Sequence, residues 1–231
     1  MHISIITLFP EMFDGVLNHS ILKRAKEKML ASYTLINLRD FGVGKHKSVD
    51  DKPYGGGAGM VLKVDVMHNA IQKAKKISPE TKVILLDPRG IPYTQEVAEK
   101  LSSESSITLI CGHYEGFDER IRKYIDMEIS IGDYVVTGGE VPAMAIIDSV
   151  VRLIPGVLGK EESHTYESFS ESQSGRILEH PQYTRPEEYD NQKVPKELLS
   201  GNPKIIDAHR STAAQTITKT KRPDLLTDSD Q

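Results

Sequence analysis

The sequence predicts an α/β protein with a mostly parallel sheet, followed by a small C-terminal helical domain. Over the first 159 residues, short runs rich in Val, Ile and Leu alternate with amphipathic stretches of about ten residues. Turns rich in glycine follow three of these runs, at Leu86, Cys111 and Ser130. Because ligands of parallel sheets bind beyond the carboxyl ends of the strands, the three turns predict one shared pocket.

Five apolar runs are predicted to be strands, and amphipathic segments between them are predicted to be helices. The strands cover residues 2–8, 33–38, 82–86, 107–111 and 127–131. Helices are predicted from Asn18 or Ser20 to about Met29, and over 64–77, 94–101, 120–124 and 141–154. The segment 134–137 is β-prone, and a turn is expected at 87–90, where the sequence reads DPRG.

Composition sets the class of protein. The chain has 231 residues, of which 38% are apolar, enough for one full core and a small second domain. Its net charge of −4 lacks the overall basic excess that is common in nucleic-acid-binding domains. No apolar run approaches the roughly 18 residues of a membrane span, and no secretory signal is recognisable, so we expect a cytoplasmic protein without a membrane partner. The single cysteine, Cys111, is expected in the core, where it forms no disulfide.

Two further segments are predicted from composition alone. Residues 39–60 form a long Gly-rich loop that has no GxxxxGK[ST] motif, and GxGxxG fails because Met60 occupies the last Gly position. This loop is either a phosphate cradle of another kind or a lid without ligand contacts.

Residues 160–176 are polar and are predicted to be an interdomain linker. Residues 177–231 are predicted to form short helical pieces broken by prolines. The basic residues of that last part predict either an RNA-binding patch or an ordinary mixed surface: Lys204, His209, Arg210, Lys219, Lys221 and Arg222.

Five motifs follow one another over nearly the whole chain: LFPEMFDGVLNHSI, DDKPYGGGAGMVLK, CGHYEGFDERI, SIGDYVVTGGEVPAMAIIDSVVRLIPGVLG and HPQYTRPEEY. In this order they closely resemble the bacterial tRNA (guanine-N1)-methyltransferases, the TrmD family, which modify the guanine 3′ to the anticodon. The resemblance implies an enzyme of the SPOUT class that uses S-adenosyl-L-methionine and acts on tRNA. It further implies a homodimer with the active site at the subunit interface, and a cofactor site formed by a trefoil knot. Physical rules would not suggest the knot, because threaded chains are nearly absent from proteins.

The same resemblance implies the domain roles and the binding residues. Residues 1–159 are expected to bind the cofactor and 177–231 the tRNA, with Gly57, Gly59 and Arg185 also contacting the tRNA. Glu115 is expected either to hold Mg²⁺ or to contact the amino group of the cofactor. The residues expected to bind the cofactor are Leu86, Pro88, Gly90, Gly112, Tyr114, Glu115, Ile131, Gly132, Asp133, Tyr134, Val135, Val136, Gly138, Gly139 and Pro142.

Methylation of guanine N1 requires a base for the N1 proton and a cation for the charge that builds on the ring. The resemblance assigns the cation to Arg152, which could otherwise be a surface residue at a helix C-terminus. Where the family has an aspartate, this chain has Glu167, so Glu167 is the expected base; Glu162, Glu171 and His164 are alternatives. The longer side chain also leaves open a catalytically inactive RNA-binding homologue, and a related methyltransferase that acts on ribosomal RNA is a second alternative.

Overall fold

The structure is a computed structural model that describes residues 1–159, 167–172 and 175–227. The chain divides into two compact units, Met1–Gly159 and Lys160–Gln231. The α/β class predicted from the sequence is confirmed, because the first unit contains a five-stranded parallel sheet and the second contains a long helix. Among the described helices, none combines the length and the apolar character that a membrane crossing requires.

The first unit alternates strands and helices along the chain. Its sheet has the order β2-β1-β6-β5-β7, and all four neighbouring pairs are parallel. Strand β3, within the Gly-rich segment, and strand β4, directly after it, form a separate antiparallel pair. The strands are β1 (His2–Thr7), β2 (Ser32–Asn37), β3 (Asp50–Asp51), β4 (Val61–Leu62), β5 (Lys82–Pro92), β6 (Ser106–Ile110) and β7 (Met127–Ser130), and the helices are α1 (Asp14–Leu17), α2 (Ser20–Glu27), α3 (Val64–Ile77), α4 (Gln95–Ser102) and α5 (Glu140–Val151).

The sheet is buried on both faces, as the continuous apolar runs predict. Successive residues of a strand point to opposite faces, so Ile84 packs on one side with α2, α4 and α5, whereas Val83 and Leu85 pack on the other side with α3. Cys111 follows β6 and is buried in the first of these layers, as predicted. The sheet therefore has a helical layer on each face. The carboxyl ends of its strands are left open.

Two local predictions for the carboxyl end of the sheet were wrong. The segment 87–90 is not a simple turn, because β5 continues to Pro92 and its pairing with β7 shifts register between Leu86 and Ile91. The four residues between them bulge out of the ladder, as an insertion within a strand does. The β-prone segment 134–137 is not a strand but an extended loop whose residues are exposed. Both departures place backbone around the same end of the sheet.

The second unit contains short strands as well as the helical segments that the sequence predicts. Part of the segment expected to be a linker pairs in an antiparallel hairpin, which brings Glu171 opposite Arg176. The long helix begins at Pro203 with an Asn202 cap, whose side chain accepts a hydrogen bond from the Lys204 amide. The described elements are β8 (Ser170–Ser172), β9 (Gly175–Ile177), β10 (Glu188–Tyr189), β11 (Gln192–Lys193), α6 (Lys196–Leu199) and α7 (Pro203–Lys221).

Candidate active site

A cavity of about 420 Å³ lies at the carboxyl end of the sheet. Its walls come from residues 86–89, 112–117, 129–132 and 134–139, together with Pro142 of α5. These stretches correspond to the three turns predicted after Leu86, Cys111 and Ser130, of which the first lies within β5 in the structure. The volume lies within the range of small-molecule sites, roughly 300–1,000 Å³.

Most of the residues expected to bind the cofactor meet in this cavity. Two of the expected residues do not line it. Gly90 lies against the backbone of β7, since a side chain there would collide with Ile129, and Asp133 is exposed. The thirteen that line it are Leu86, Pro88, Gly112, Tyr114, Glu115, Ile131, Gly132, Tyr134, Val135, Val136, Gly138, Gly139 and Pro142.

Eight lining residues were not among those expected. Five of them lie inside the predicted turns after β5, β6 and β7, so the extent of those turns was a sufficient signal for them. Ile129 and Ser130 belong to the end of β7, and Phe117 follows the CGHYEG turn, where the sequence offers no sign that the wall continues. The eight residues are Asp87, Arg89, His113, Gly116, Phe117, Ile129, Ser130 and Thr137.

The floor of the cavity is a close approach between two backbones. The Gly139 amide donates a hydrogen bond of 2.8 Å to the carbonyl oxygen of Gly112. A Cβ atom on Gly139 would lie 2.6 Å from the Cα atom of Cys111, which is closer than real contacts allow. The start of α5 therefore rests directly on the end of β6, and only glycine fits there. Burial, and then the nearby charge of Glu140, raise the pKa of the Cys111 thiol, so this cysteine is not a nucleophile.

A charged network supports the bulge of β5. The Arg122 guanidinium lies 3.1 Å from Oδ2 of Asp87 and 2.9 Å from Oε1 of Glu119, and it also contacts Glu128. The Arg89 amide donates a 2.9 Å hydrogen bond to Oδ1 of Asp87, and its side chain reaches the same oxygen. The side chains of Asp87 and Arg122 are only 10% and 18% exposed, so this pair is the sheltered part of the network.

The ionisation of Asp87 follows from these contacts. Burial opposes the charged form, but the hydrogen bonds from Arg89 and the charges of Arg89 and Arg122 outweigh burial and lower the pKa of Asp87 below its ordinary value. The folded protein therefore favours the carboxylate, and the bulge that lines the cavity is stabilised by ion pairs at neutral pH.

Comparison with known proteins identifies the family. A sequence model described as tRNA (Guanine-1)-methyltransferase TrmD matches residues 1–228. The chain belongs to this family. Among its relatives, a tRNA (guanine-N(1)-)-methyltransferase of Staphylococcus carnosus is 56% identical over 227 residues, which are 98% of this chain and 91% of the relative. Relatives of the same name from Bacillus pumilus and Geobacillus kaustophilus are 54% and 55% identical, over 98% of this chain and 92% and 91% of their own lengths.

In this member of the TrmD family, the Gly-rich loop contacts the cavity wall through the CGHYEG turn. The Glu115 amide donates a 3.0 Å hydrogen bond to the carbonyl oxygen of Met60, and Leu62 donates to Gly116 at 3.0 Å. A side chain on Gly59 would collide with the Glu115 carboxylate. The Cβ position of Gly57 is open, with no atom within 4 Å. Gly59, one of the two glycines expected to bind tRNA, thus lies beside Glu115 of the cavity wall.

The residues expected to perform the chemistry lie in separate units. Arg152 is half-buried and directly follows the last residue of α5, at the helix C-cap. Glu167 is half-buried in a turn that ends in the hydrogen bond from the Ser170 amide to the Glu167 carbonyl. Glu171 is exposed on β8, and the other two alternatives, Glu162 and His164, lie outside the described residues.

Two remaining expectations concern a metal and the second unit. Within residues 1–159, 167–172 and 175–227, no group of three His, Cys, Asp or Glu side chains could hold a metal ion. Glu115 is therefore not part of such a group in the described part of the chain. Arg185 is exposed and lines a cavity of about 410 Å³ within the second unit, to which His180, Tyr183 and Arg210 also contribute.

The ion pair between Asp87 and Arg122 predicts a pH-dependent stability. At pH 7 we expect Asp87→Asn to lower the free energy of unfolding by about 1–2 kcal/mol, because it removes a charged acceptor from a sheltered guanidinium. Since the pKa of Asp87 is lowered in the folded state, its contribution is complete above its unfolded pKa, about 3.9, and is lost as the pH falls through the lower folded value. Urea unfolding of both proteins between pH 7 and pH 2 measures the difference.

A suitable control for this prediction is Asp40→Asn. Asp40 is 67% exposed and pairs with Lys47 only at 3.9 Å, so its removal should change stability by less than about 0.5 kcal/mol at every pH. A stability difference for Asp87→Asn that is the same at pH 7 and at pH 2 would contradict the assignment.

Proposed function

We propose that this protein transfers a methyl group from S-adenosyl-L-methionine to N1 of the guanine that lies 3′ to the anticodon of tRNA, in the bacterial cytoplasm. The observation that carries the proposal is the match to the tRNA (Guanine-1)-methyltransferase family over residues 1–228. The cavity formed by three loops supports it, because it supplies a small-molecule site in the part of the chain where the family resemblance places the cofactor.

The cavity suits S-adenosyl-L-methionine in size and in chemistry. Leu86, Ile131 and Val136 give apolar walls for an adenine ring, and the glycines at 112, 138 and 139 let a ligand approach the backbone. The buried Nδ1 atom of His113 has no hydrogen-bond partner in the described structure, so the wall retains an unused polar group. The bound cofactor supplies a methyl group on a positively charged sulfur, which becomes a neutral thioether when the methyl group leaves.

The chain supplies a base and a cation for this reaction. The Glu167 carboxylate takes the N1 proton as the guanine nitrogen becomes nucleophilic, and the Arg152 guanidinium stabilises negative charge that develops on the ring and on O6. A Glu in place of the expected Asp keeps the carboxylate but moves it by about one methylene, a displacement near 1 Å that can cost on the order of 10²-fold when geometry is tight. Glu167 thus supplies a carboxylate, as the reaction requires. What differs is the distance of this carboxylate from the backbone.

A homodimer is part of the proposal, with Glu167 supplied to the site by the second subunit. Exposed apolar side chains beside the cavity support an interface there, because such side chains gain from being covered. Val135 is 91% exposed, Tyr134 is 57% exposed and Val141, in the first turn of α5, is 54% exposed. A trefoil knot at the cofactor site stays a prediction, and the tight crossing of Gly139 over β6 is compatible with it.

No step of the proposed mechanism uses Mg²⁺. Glu115 is the carboxylate that the family resemblance offers for the ion, and Mg²⁺ is normally held by one or two carboxylates together with ligands from the substrate. Glu115 fits better as a neighbour of the amino group of the cofactor, since it lines the cavity. The tRNA is expected to contact Gly57, Gly59 and Arg185, the last of which lies in the second unit.

Methylation of tRNA transcripts tests the substrate. We expect transfer of a labelled methyl group to an unmodified transcript with guanine 3′ to the anticodon, and at least about 10²-fold slower transfer when adenine replaces that guanine, because the reacting N1–H is absent. Equal rates on both transcripts would contradict the proposal and would favour the related methyltransferase that acts on ribosomal RNA. Ribosomal RNA fragments in the same assay serve as the comparison substrate.

Single-turnover rates test the base. We expect Glu167→Gln to lower the rate of methyl transfer by about 10²-fold or more, whereas Glu167→Asp retains a carboxylate and is faster than Gln. Glu80→Gln makes the same substitution at an exposed turn and should keep the wild-type rate. If Gln is as fast as Glu at position 167 and Glu171→Gln is slow, the base is Glu171. An inactive wild type that still binds tRNA would favour the RNA-binding homologue.

Mixed dimers test the sharing of the site between subunits. We expect Arg152→Ala and Glu167→Gln homodimers to be nearly inactive, and their heterodimer to regain about half of the wild-type activity, because one of its two sites then combines an intact Arg152 with an intact Glu167. Differently tagged subunits, co-expressed and purified by both tags, provide the heterodimer. A heterodimer as inactive as its parents would show that both residues act within one subunit.

A further inference from the structure

Glu140 is a buried carboxylate that the proposed reaction does not use. It is the first residue of α5 and is 2% exposed. Its Oε1 atom accepts a 2.7 Å hydrogen bond from the hydroxyl of Thr7, a residue with no exposed surface at the end of β1. Oγ1 of Thr7 in turn accepts a 2.9 Å hydrogen bond from the Phe9 amide. Glu140 therefore connects the start of α5 to the end of β1, the strand that lies between β2 and β6 in the sheet.

His113 lies on the other side of the same carboxylate. A Cβ atom built on Gly138 would be 2.5 Å from Oε2 of Glu140 and 2.8 Å from Nδ1 of His113, so these two atoms are at most 5.3 Å apart, the sum of the two distances. Nδ1 is buried and has no hydrogen-bond partner in the described structure. The imidazole ring is held at centroid distances of 5.1 Å from Phe9 and 5.0 Å from Tyr114. The missing side chain of Gly138 thus leaves room for a carboxylate and an imidazole behind the cavity wall.

Burial of this carboxylate is costly unless its oxygens are satisfied. Thr7 satisfies one oxygen, and the partial positive charge of the α5 N-terminus favours a negative group at the first helical position. His113, Gly138 and Gly139 line the cavity, whereas Glu140 does not. We therefore expect Glu140 to affect a ligand through these neighbours and not by direct contact.

We propose that Glu140 is a positioning residue for the cofactor. With Thr7 and His113, its carboxylate holds the CGHYEG turn and the start of α5 in the arrangement that binds S-adenosyl-L-methionine. This inference rests on the proposed function, and it assigns to Glu140 an effect on cofactor affinity rather than on methyl transfer itself.

Calorimetry on the full-length protein tests the assignment. We expect Glu140→Gln to raise the Kd for S-adenosyl-L-methionine roughly tenfold, and that for S-adenosylhomocysteine by a similar factor, because both ligands use the same turn. The KM for the methyl donor should rise by the same factor, while kcat with saturating donor changes less than about threefold. Glu80→Gln, the same substitution at an exposed turn, should leave both Kd values unchanged.

Variants at Thr7 give a second, independent readout. Thr7→Val removes the hydroxyl donor and should raise both Kd values, whereas Thr7→Ser keeps the donor and should bind within about twofold of wild type. The double variant Thr7→Val/Glu140→Gln should lose no more binding free energy for S-adenosyl-L-methionine than the two single variants lose together, since the two groups act as one pair.

Four outcomes would overturn the inference. Wild-type affinity in Glu140→Gln, even with a lowered Tm, would show that the carboxylate only stabilises the fold. A loss confined to S-adenosyl-L-methionine would show that Glu140 acts directly on the charge of the sulfur. Equal binding by Thr7→Ser and Thr7→Val would remove the hydroxyl from the network. A wild-type protein that binds neither ligand would overturn the proposed function as well, so the two failures are distinguishable.

Discussion

The start of α5 and the end of β6 lie so close together that no side chain fits between them. The Gly139 amide donates to the Gly112 carbonyl, and the missing Cβ atom of Gly139 leaves room for the backbone of Cys111. This crossing fixes where α5 begins, and therefore where the preceding loop must close around the cavity. A larger residue at position 139 would have to displace backbone, which is costly because backbone cannot rotate away as a flexible side chain can.

Two carboxylates beside the cavity are stabilised in different ways. Asp87 is balanced by full positive charges, which lower its pKa and fix the bulge of β5. Glu140 has a neutral hydroxyl and the end of a helix instead, and it lies deeper in the protein. Ion pairs suit the rim of the cavity, where solvent reduces the cost of charge, whereas a single carboxylate behind the wall needs the dipoles of the surrounding backbone. The difference separates a stabilising role for Asp87 from the positioning role that we infer for Glu140.

Sequence periodicity predicted the parallel sheet and the three loops, because both follow from local patterns and from the general placement of ligands in such sheets. It failed at 134–137, where apolar residues that favour a strand instead face outwards in a loop. It also could not reveal the Thr7–Glu140 hydrogen bond, whose partners are separated by 133 positions and carry no local signal. The roles of Arg152 and Glu167 came from the family resemblance, since neither residue is distinguished by its own neighbours in the sequence.

The cavity lies wholly within the unit Met1–Gly159, whereas Glu167 belongs to the unit Lys160–Gln231. In the proposed mechanism, cofactor binding and proton removal therefore depend on different parts of the chain. Every wall residue belongs to the first unit, so we expect a change in Glu167 to leave the cavity intact. In the proposed mechanism, a Glu at the position of the expected Asp therefore changes the position of the carboxylate and not the pocket. The turn 167–170 that carries this side chain can accommodate it, because a turn adapts to one added methylene more readily than a packed sheet does.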